Sequence, residues 1–134
     1  MTKKILPISL LIGAQLLFSP AVFSQKTIEE CETEKQSPEK ESRCFDEVKD
    51  TLDRELQTWI NNHVFILEEK SIETGRSSAL KMFKRSQNDF ITFRDNNCRW
   101  QYLAISPNKG ANKAYKKCYI TVTQSRINEL SNIP

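Results

Sequence analysis

Glycine is scarce in this chain, three in 134 residues, and histidine occurs once. So little glycine leaves no phosphate-cradling loop and no dinucleotide fingerprint, and it withholds the dense turn signals of a β-sandwich. The lone histidine, His63, lies at ligand distance from none of the four cysteines, and no CxxC pair occurs, so zinc has no ligand set and no metal or other cofactor is expected. A Ser-His-Asp or Cys-His centre would need His63, which falls in the apolar stripe of a predicted helix and reads as a packed imidazole. Net charge is also small, +3 over the whole chain and +1 over residues 25–134, which excludes the basic footprint of a nucleic-acid binder. No apolar run reaches the ~20 residues needed to span a bilayer.

The longest such run, Ile5 to Phe18, is 14 residues and is interrupted by Gln15. With Lys3 and Lys4 before it, no acid in the first 24 residues and the segment Ser19-Pro20-Ala21-Val22-Phe23-Ser24 after it, residues 1–24 read as a secretory signal peptide cleaved after Ser24. No cysteine follows the apolar stretch at lipoprotein distance; the first is Cys31, preceded by Ile28-Glu29-Glu30. The expectation is a periplasmic or secreted product, residues 25–134, with no stable membrane insertion.

In an oxidising compartment four cysteines imply disulfides. Three connectivities are possible. Short loops close most often, which favours Cys31 with Cys44 and Cys98 with Cys118, each pair expected to tie a loop to a helix end.

Between the cysteines the apolar residues keep helical time. Ser37-Pro38 supplies a capping hydroxyl followed by proline at the first helical position, so a helix should begin there. Phe45, Val48, Leu52, Leu56, Trp59, Ile60, His63 and Leu67 then recur at steps of three and four, and Gly75 ends the run. A second helix follows on Leu80, Phe83, Gln87, Phe90, Ile91, Arg94 and Cys98. After a loop from Ile105 to Asn112, a third runs from Ala111 or Asn112 to Leu130, with Ala114, Tyr115, Cys118, Val122, Ile127 and Leu130 inward. Residues 25–36 are polar, with Cys31 as their only tether. The fold class is therefore all-α: an antiparallel helical hairpin plus a third helix, a small disulfide-stabilised bundle.

Charge is distributed unevenly along it. Residues 25–70 hold 13 acids and 7 bases, whereas residues 71–134 hold 4 acids and 11 bases, so the halves should attract and partly pair across the helices. Asp46, Glu47, Asp50, Asp53 and Glu55 contain carboxylate pairs of the type glycoside cleavage uses, but an acid-rich helix face contains such pairs automatically. The chain reads as a binding protein and not an enzyme.

Two segments are more specific. One runs from Ser86 to Cys98, where Gln87, Phe90, Ile91, Arg94 and Cys98 fall at helical steps and Asp95 follows the arginine; the other is Cys118 followed by Thr123, Arg126, Glu129 and Leu130. With Asp53-Arg54-Glu55-Leu56-Gln57 upstream, they resemble the small bacterial exported domain named for the N-terminal part of the lysozyme inhibitor LprI. Gln57, Ser86 and Phe90 stand where that pattern has Asn, Ala and Trp. The resemblance implies a helical, disulfide-bonded envelope protein, able in some members to inhibit lysozyme. The function expected from it is an exported protein-binding domain that inhibits lysozyme or a related muramidase; the alternative is a non-inhibitory structural or adaptor protein of the cell envelope.

Arg94 is expected to form a two-pronged pair with Asp53 or Glu55 and so set the hairpin register, and Arg126 is expected to act structurally in the same way. Two partner surfaces compete. The loop Ser106 to Lys113, held between Cys98 and Cys118, would present Lys109 or Lys113 to an acidic cleft; the acidic patch from Glu29 to Glu55, including Glu47 and Asp50, would dock on a cationic protein.

Overall fold

The computed structural model describes residues 26–33 and 37–133, and its helices begin and end largely where the sequence supplies a signal. The expected leader, residues 1–24, and its cleavage site lie outside the described residues. Helix α2 spans Pro38–Thr74; Ser37 is its N-cap, its side chain accepting from the Lys40 amide, and Pro38 opens the first turn. It stops at Gly75, whose φ of +68° puts the chain in the left-handed region that a side chain disfavours. Helix α3 follows at Ser78–Ile105, and helix α4 at Ala111–Ser131. The connection between α2 and α3 is too short for anything but an antiparallel pair.

Helix α4 lies against both arms of that hairpin. Its direction follows from its contacts: Lys116 reaches Asp46 near the start of α2, while the carbonyl of Leu130 meets His63 farther along the same helix. So α4 runs parallel to α2 and antiparallel to α3. At ~1.5 Å per residue, α4's 21 residues cover ~31 Å, and α2's 37 residues run on for ~55 Å. The end of the hairpin therefore projects past α4 as two helices without a third.

The main core gathers Phe45, Val48, Leu52 and Leu56 of α2 against Ile120, Ile127 and Leu130 of α4, with Trp59, Ile60, Phe83 and Phe90 packed around them. A smaller cluster of Cys98, Cys118 and Tyr119 joins α3 to α4, backed by Tyr115 and Val122. The stripes expected for α2 and α3 are buried or half-buried along their whole length. On α4 the expectation is corrected: Tyr119, Ile120 and Thr123 are buried, whereas Ala114, Tyr115 and Val122 are only half so. A helix wedged between two others presents a broad face, and three-and-four counting from Cys118 finds only one edge of it.

A second correction concerns the polar segment before Ser37. Residues Ile28–Thr33 form a short helix, α1. Thr27 and Glu30 build a reciprocal cap at its start: the Thr27 hydroxyl accepts from the Glu30 amide, and the Glu30 carboxylate accepts from the Thr27 amide. Six residues are far too few for a free helix, and what holds α1 is the Cys31–Cys44 bridge, Cys31 being fully buried. The second bridge is Cys98–Cys118. Both pairings are those favoured from the sequence, but each joins helix to helix: α1 to the first turns of α2, and α3 to α4 across the connecting loop. Cα–Cα distances of 5.7 and 5.4 Å fit unforced bridges.

Peptide mapping of unreduced protein will recover Cys31 linked to Cys44 and Cys98 linked to Cys118, with no crossed pair. Replacing Cys98 and Cys118 together by serine will lower unfolding free energy in urea by about 2–4 kcal/mol. Gly75→Ala, at a position where an added Cβ meets nothing within 4 Å, will cost about 1 kcal/mol from backbone conformation alone.

Candidate functional site

The residues singled out in the sequence converge where the three long helices meet. Asp53 sits on the α3-facing side of α2, Arg94 at the middle of α3, and Tyr119 and Thr123 one turn apart on α4. The Arg94 guanidinium donates from Nη1 to Asp53 Oδ1 at 3.2 Å and to Thr123 Oγ1 at 3.0 Å. Tyr119 donates its phenol to the same carboxylate at 2.9–3.0 Å, and its ring lies 3.8 Å from the guanidinium carbon. Lys49 Nζ stands 4.6 Å from the centre of that ring.

The expected two-pronged arginine pair is therefore corrected to a single prong. The phenol takes part of the carboxylate that a forked pair would use, and the same guanidinium nitrogen is shared with Thr123. Asp95 lies 3.7 Å from Arg94 Nε, within ion-pair range but beyond hydrogen-bond length, and that nitrogen has no hydrogen-bond partner among the described residues. Burial raises the Tyr119 phenol well above its ordinary pKa, and its bond to Asp53 raises it further. The phenol thus stays a donor, and the Asp53 carboxylate accepts from both Arg94 and Tyr119, an arrangement that joins helices.

One and two turns away a second network repeats the design. Arg126 of α4 donates from Nε to Gln87 Oε1 at 3.3 Å and from Nη2 to Ser86 Oγ at 3.1 Å, both on α3, while Nη1 pairs with Glu129. Of the sequence-derived motif, Asp53, Arg94 and Thr123 form one cluster, Gln87 and Arg126 the other, and Asp95 stands at the edge of the first. Glu55 is half-buried on α2 and joins neither. Tyr119 is the member the sequence reading missed; its position one residue after Cys118 and four before Thr123 was the available signal. His63 is buried, as expected, and its Nε2–H donates to the Leu130 carbonyl at 2.8 Å, satisfying an acceptor in α4's last turn.

The two candidate partner surfaces turn out to be neighbours. Lys109 lies exposed in the loop between α3 and α4, beside a groove of 330 Å³ whose other wall is the acidic start of α2. Lys113 is engaged inside the molecule, paired with Glu32 and Glu41, and Lys117 reaches Glu32 as well. Lys116 binds Asp46 at 2.7 Å and the Ser42 hydroxyl. Glu47 pairs at 3.3 Å with Lys26, and Asp50 is exposed on the outer face of α2. The expected attraction between the two halves is thus built chiefly as α4 lysines set against acids of α1 and α2.

That pairing moves titrations. Glu32 is held below the usual carboxylate value by its bonds to Lys113 and then Lys117, and Lys113 is raised by Glu41 and then Glu32. Among the described residues no group of His, Cys, Asp and Glu is arranged to hold a metal ion, and no helix is long and apolar enough to cross a membrane.

Missed entirely by sequence reasoning is the outward side of α3. Met82, Phe93, Trp100 and Leu103 are each about 60% exposed there, with Asn96 and Asn97 between the two aromatic rings. The signal was a second apolar spacing on α3, offset from the one that faces the core.

Arg94→Ala will lower stability by about 2–3 kcal/mol in urea, since it removes two hydrogen bonds of a buried cation and the stacking on Tyr119. Arg94→Lys will recover only part of that loss, having neither the planar stack nor the same reach. The Glu32 ties respond to acid: a carboxylate with a lowered folded value stabilises fully above its unfolded 4.5 and loses that contribution as pH falls through the folded value. The raised lysine contributes below 10.5 and fails only above it. Melting temperature followed by circular dichroism will drop below pH 4.5, and Glu32→Gln will flatten part of that drop.

With this geometry in view, comparison with known proteins gives one finding. A family model described as Lysozyme inhibitor LprI matches residues 31–130. No curated protein and no solved structure matches the chain.

Proposed function

Because the chain belongs to the LprI lysozyme inhibitor family, we propose that it is an exported protein-binding domain that inhibits lysozyme or a related peptidoglycan-cleaving muramidase. The observation that carries this reading is the extent of the family match. It runs from Cys31, the first half-cystine, to Leu130, the residue that closes α4 on His63, and so takes in both disulfides and both arginine networks.

The physical character of the domain supports it. Its two bridges belong to an oxidising, extracytoplasmic compartment, in keeping with residues 1–24 acting as a signal peptide. Apart from Arg94 Nε, the polar groups that join the helices are bonded to one another, which leaves the outer surface to meet a partner. An inhibitor acts by occupying the enzyme's cleft, and a surface ordered before the encounter loses little conformational entropy on docking. Nothing has to be cleaved, transferred or bound as a cofactor for that activity.

Purified, oxidised protein will bind one or more members of a lysozyme panel with saturable 1:1 stoichiometry in calorimetry, and wall lysis will fall in proportion. Affinity will weaken between low and high salt, because charged rims are screened. Full lysis by every enzyme of the panel at saturating protein overturns the inhibitor reading and favours the adaptor alternative.

A further inference from the structure

The proposed function leaves open which surface meets the enzyme, and the geometry points to the outer seam of α3 as the ridge that enters the carboxylate-bearing cleft of a muramidase. This inference rests on the inhibitor reading above. Met82, Ser86, Asp89, Phe93, Asn96, Trp100 and Leu103 follow alternating steps of four and three along α3. That spacing keeps them on one line of a helix, here a line facing solvent except that the Ser86 hydroxyl is held by Arg126 of α4. At ~1.5 Å per residue the seam is roughly 30 Å long, a narrow convex edge suited to a trough that holds a polysaccharide.

Its composition is that of a protein-binding centre. Phe93 is 58% exposed and Trp100 59%, two turns apart, with Met82 and Leu103 at the ends. Surfaces that bind protein are enriched in aromatic residues, methionine and arginine, and tryptophan and arginine dominate their energetics. The bland account of each exposed apolar side chain taken singly is that such residues are common on any surface; Phe93, Trp100 and Leu103 in one register, two of them aromatic, are more than single scattered residues.

Charge selects the occupant. A muramidase cleft must carry the acid and the second carboxylate that glycoside hydrolysis requires, so it favours a cationic, apolar edge. Exposed on α3 are Lys81, Lys84, Arg85 and Arg99 against Asp89 and Asp95; Lys84 pairs with Glu68 of α2, Asp89 lies in the seam itself, and Arg99, next to Trp100, lines a groove with Leu103 of the seam and with Asn112 and Tyr115 of α4. Arg85 has only a loose contact with Asp89, at 3.9 Å with both side chains about three-quarters exposed, so it can turn to a partner at little cost. The rival surfaces are committed in part: Lys113 is tied to Glu32 and Glu41 and Glu47 to Lys26, whereas Lys109 and Asp50 are exposed with no ion pair among the described residues.

The test compares native protein with Phe93→Ala, Trp100→Ala and Arg99→Glu against whichever panel lysozyme the native protein inhibits most strongly. All three side chains are exposed, and unchanged melting temperatures will establish that the variants fold. Each alanine variant is expected to raise the inhibition constant at least tenfold, and Arg99→Glu fivefold or more with a shallower salt dependence. Native-like inhibition by Trp100→Ala and Phe93→Ala overturns the seam while leaving the inhibitor reading intact. So does a loss confined to Lys109→Glu or to Glu47→Lys with Asp50→Lys. Should an alanine variant fail to fold, Arg99→Glu decides alone. If the native protein inhibits nothing on the panel, the inhibitor reading fails and the seam assignment falls with it.

Discussion

The structure depends on α4 being held in the furrow of the α2–α3 hairpin, and the buried Arg94 guanidinium is where that constraint is sharpest. Arginine is expensive to bury, and here it is 93% covered on its side chain. The burial is tolerable because Asp53, Thr123 and the Tyr119 ring surround it, drawn from α2 and α4. Moving any of the three helices by a turn would strand a cation in the interior, so the cluster acts against wrong registers more than it adds stability. Arg126 with Ser86 and Gln87 sets the same register again toward the far end of α4. Between them the α2 and α3 arms can touch each other sparingly, because both are fastened to a common third helix.

Much of this was legible before any coordinates. Ser37-Pro38 and Gly75 bound α2 because capping chemistry is local, and local chemistry survives the absence of tertiary information. The stripe from Phe45 to Leu67 was legible because α2 buries a single line. The α4 face was misread for the converse reason: wedged between two helices, it buries Tyr119, Ile120 and Thr123 over a wide arc, and polar Thr123 and Tyr119 do not announce themselves as core. Helix α1 was missed because its cap and its bridge stabilise a sequence with one apolar side chain, Ile28, to pack. Arg94 was expected to pair with Asp53 or Glu55; the structure gives Asp53, and the third participant, Tyr119, turns a two-pronged bond into a shared one. Partner geometry of that sort lies in three dimensions and leaves no spacing to count.

The charge asymmetry of the chain carries a related lesson. Thirteen acids in residues 25–70 look like a surface field aimed at a cationic partner. In the folded domain that field is partly spent inside: Glu32, Glu41 and Asp46 accept from Lys113, Lys116 and Lys117, and Glu47 accepts from Lys26. Each of these contacts is solvent-touched and individually weak. Their collective effect is to match a basic α4 to an acidic α2; the short α3–α4 connection, residues 106–110, already makes α4 antiparallel to α3 and so parallel to α2.

This internal neutralisation also shapes what the outside can do. With α4's lysines and α2's acids answering one another and Lys84 of α3 paired with Glu68, Arg99 beside the bare Trp100 ring is left as an exposed α3 cation with no ion pair among the described residues. A protein under pressure only to be soluble would place small or polar residues at 93 and 100, since burying nothing there gains nothing and exposed rings invite association. Phe93 and Trp100 stand on a helix tied to α4 by the disulfide at Cys98 and to α2 by the buried ion pair at Arg94, so these side chains are carried on a backbone anchored on both sides. Rigidity at that place is what a cleft-filling ridge requires, because every degree of freedom frozen by folding is one that docking does not have to freeze.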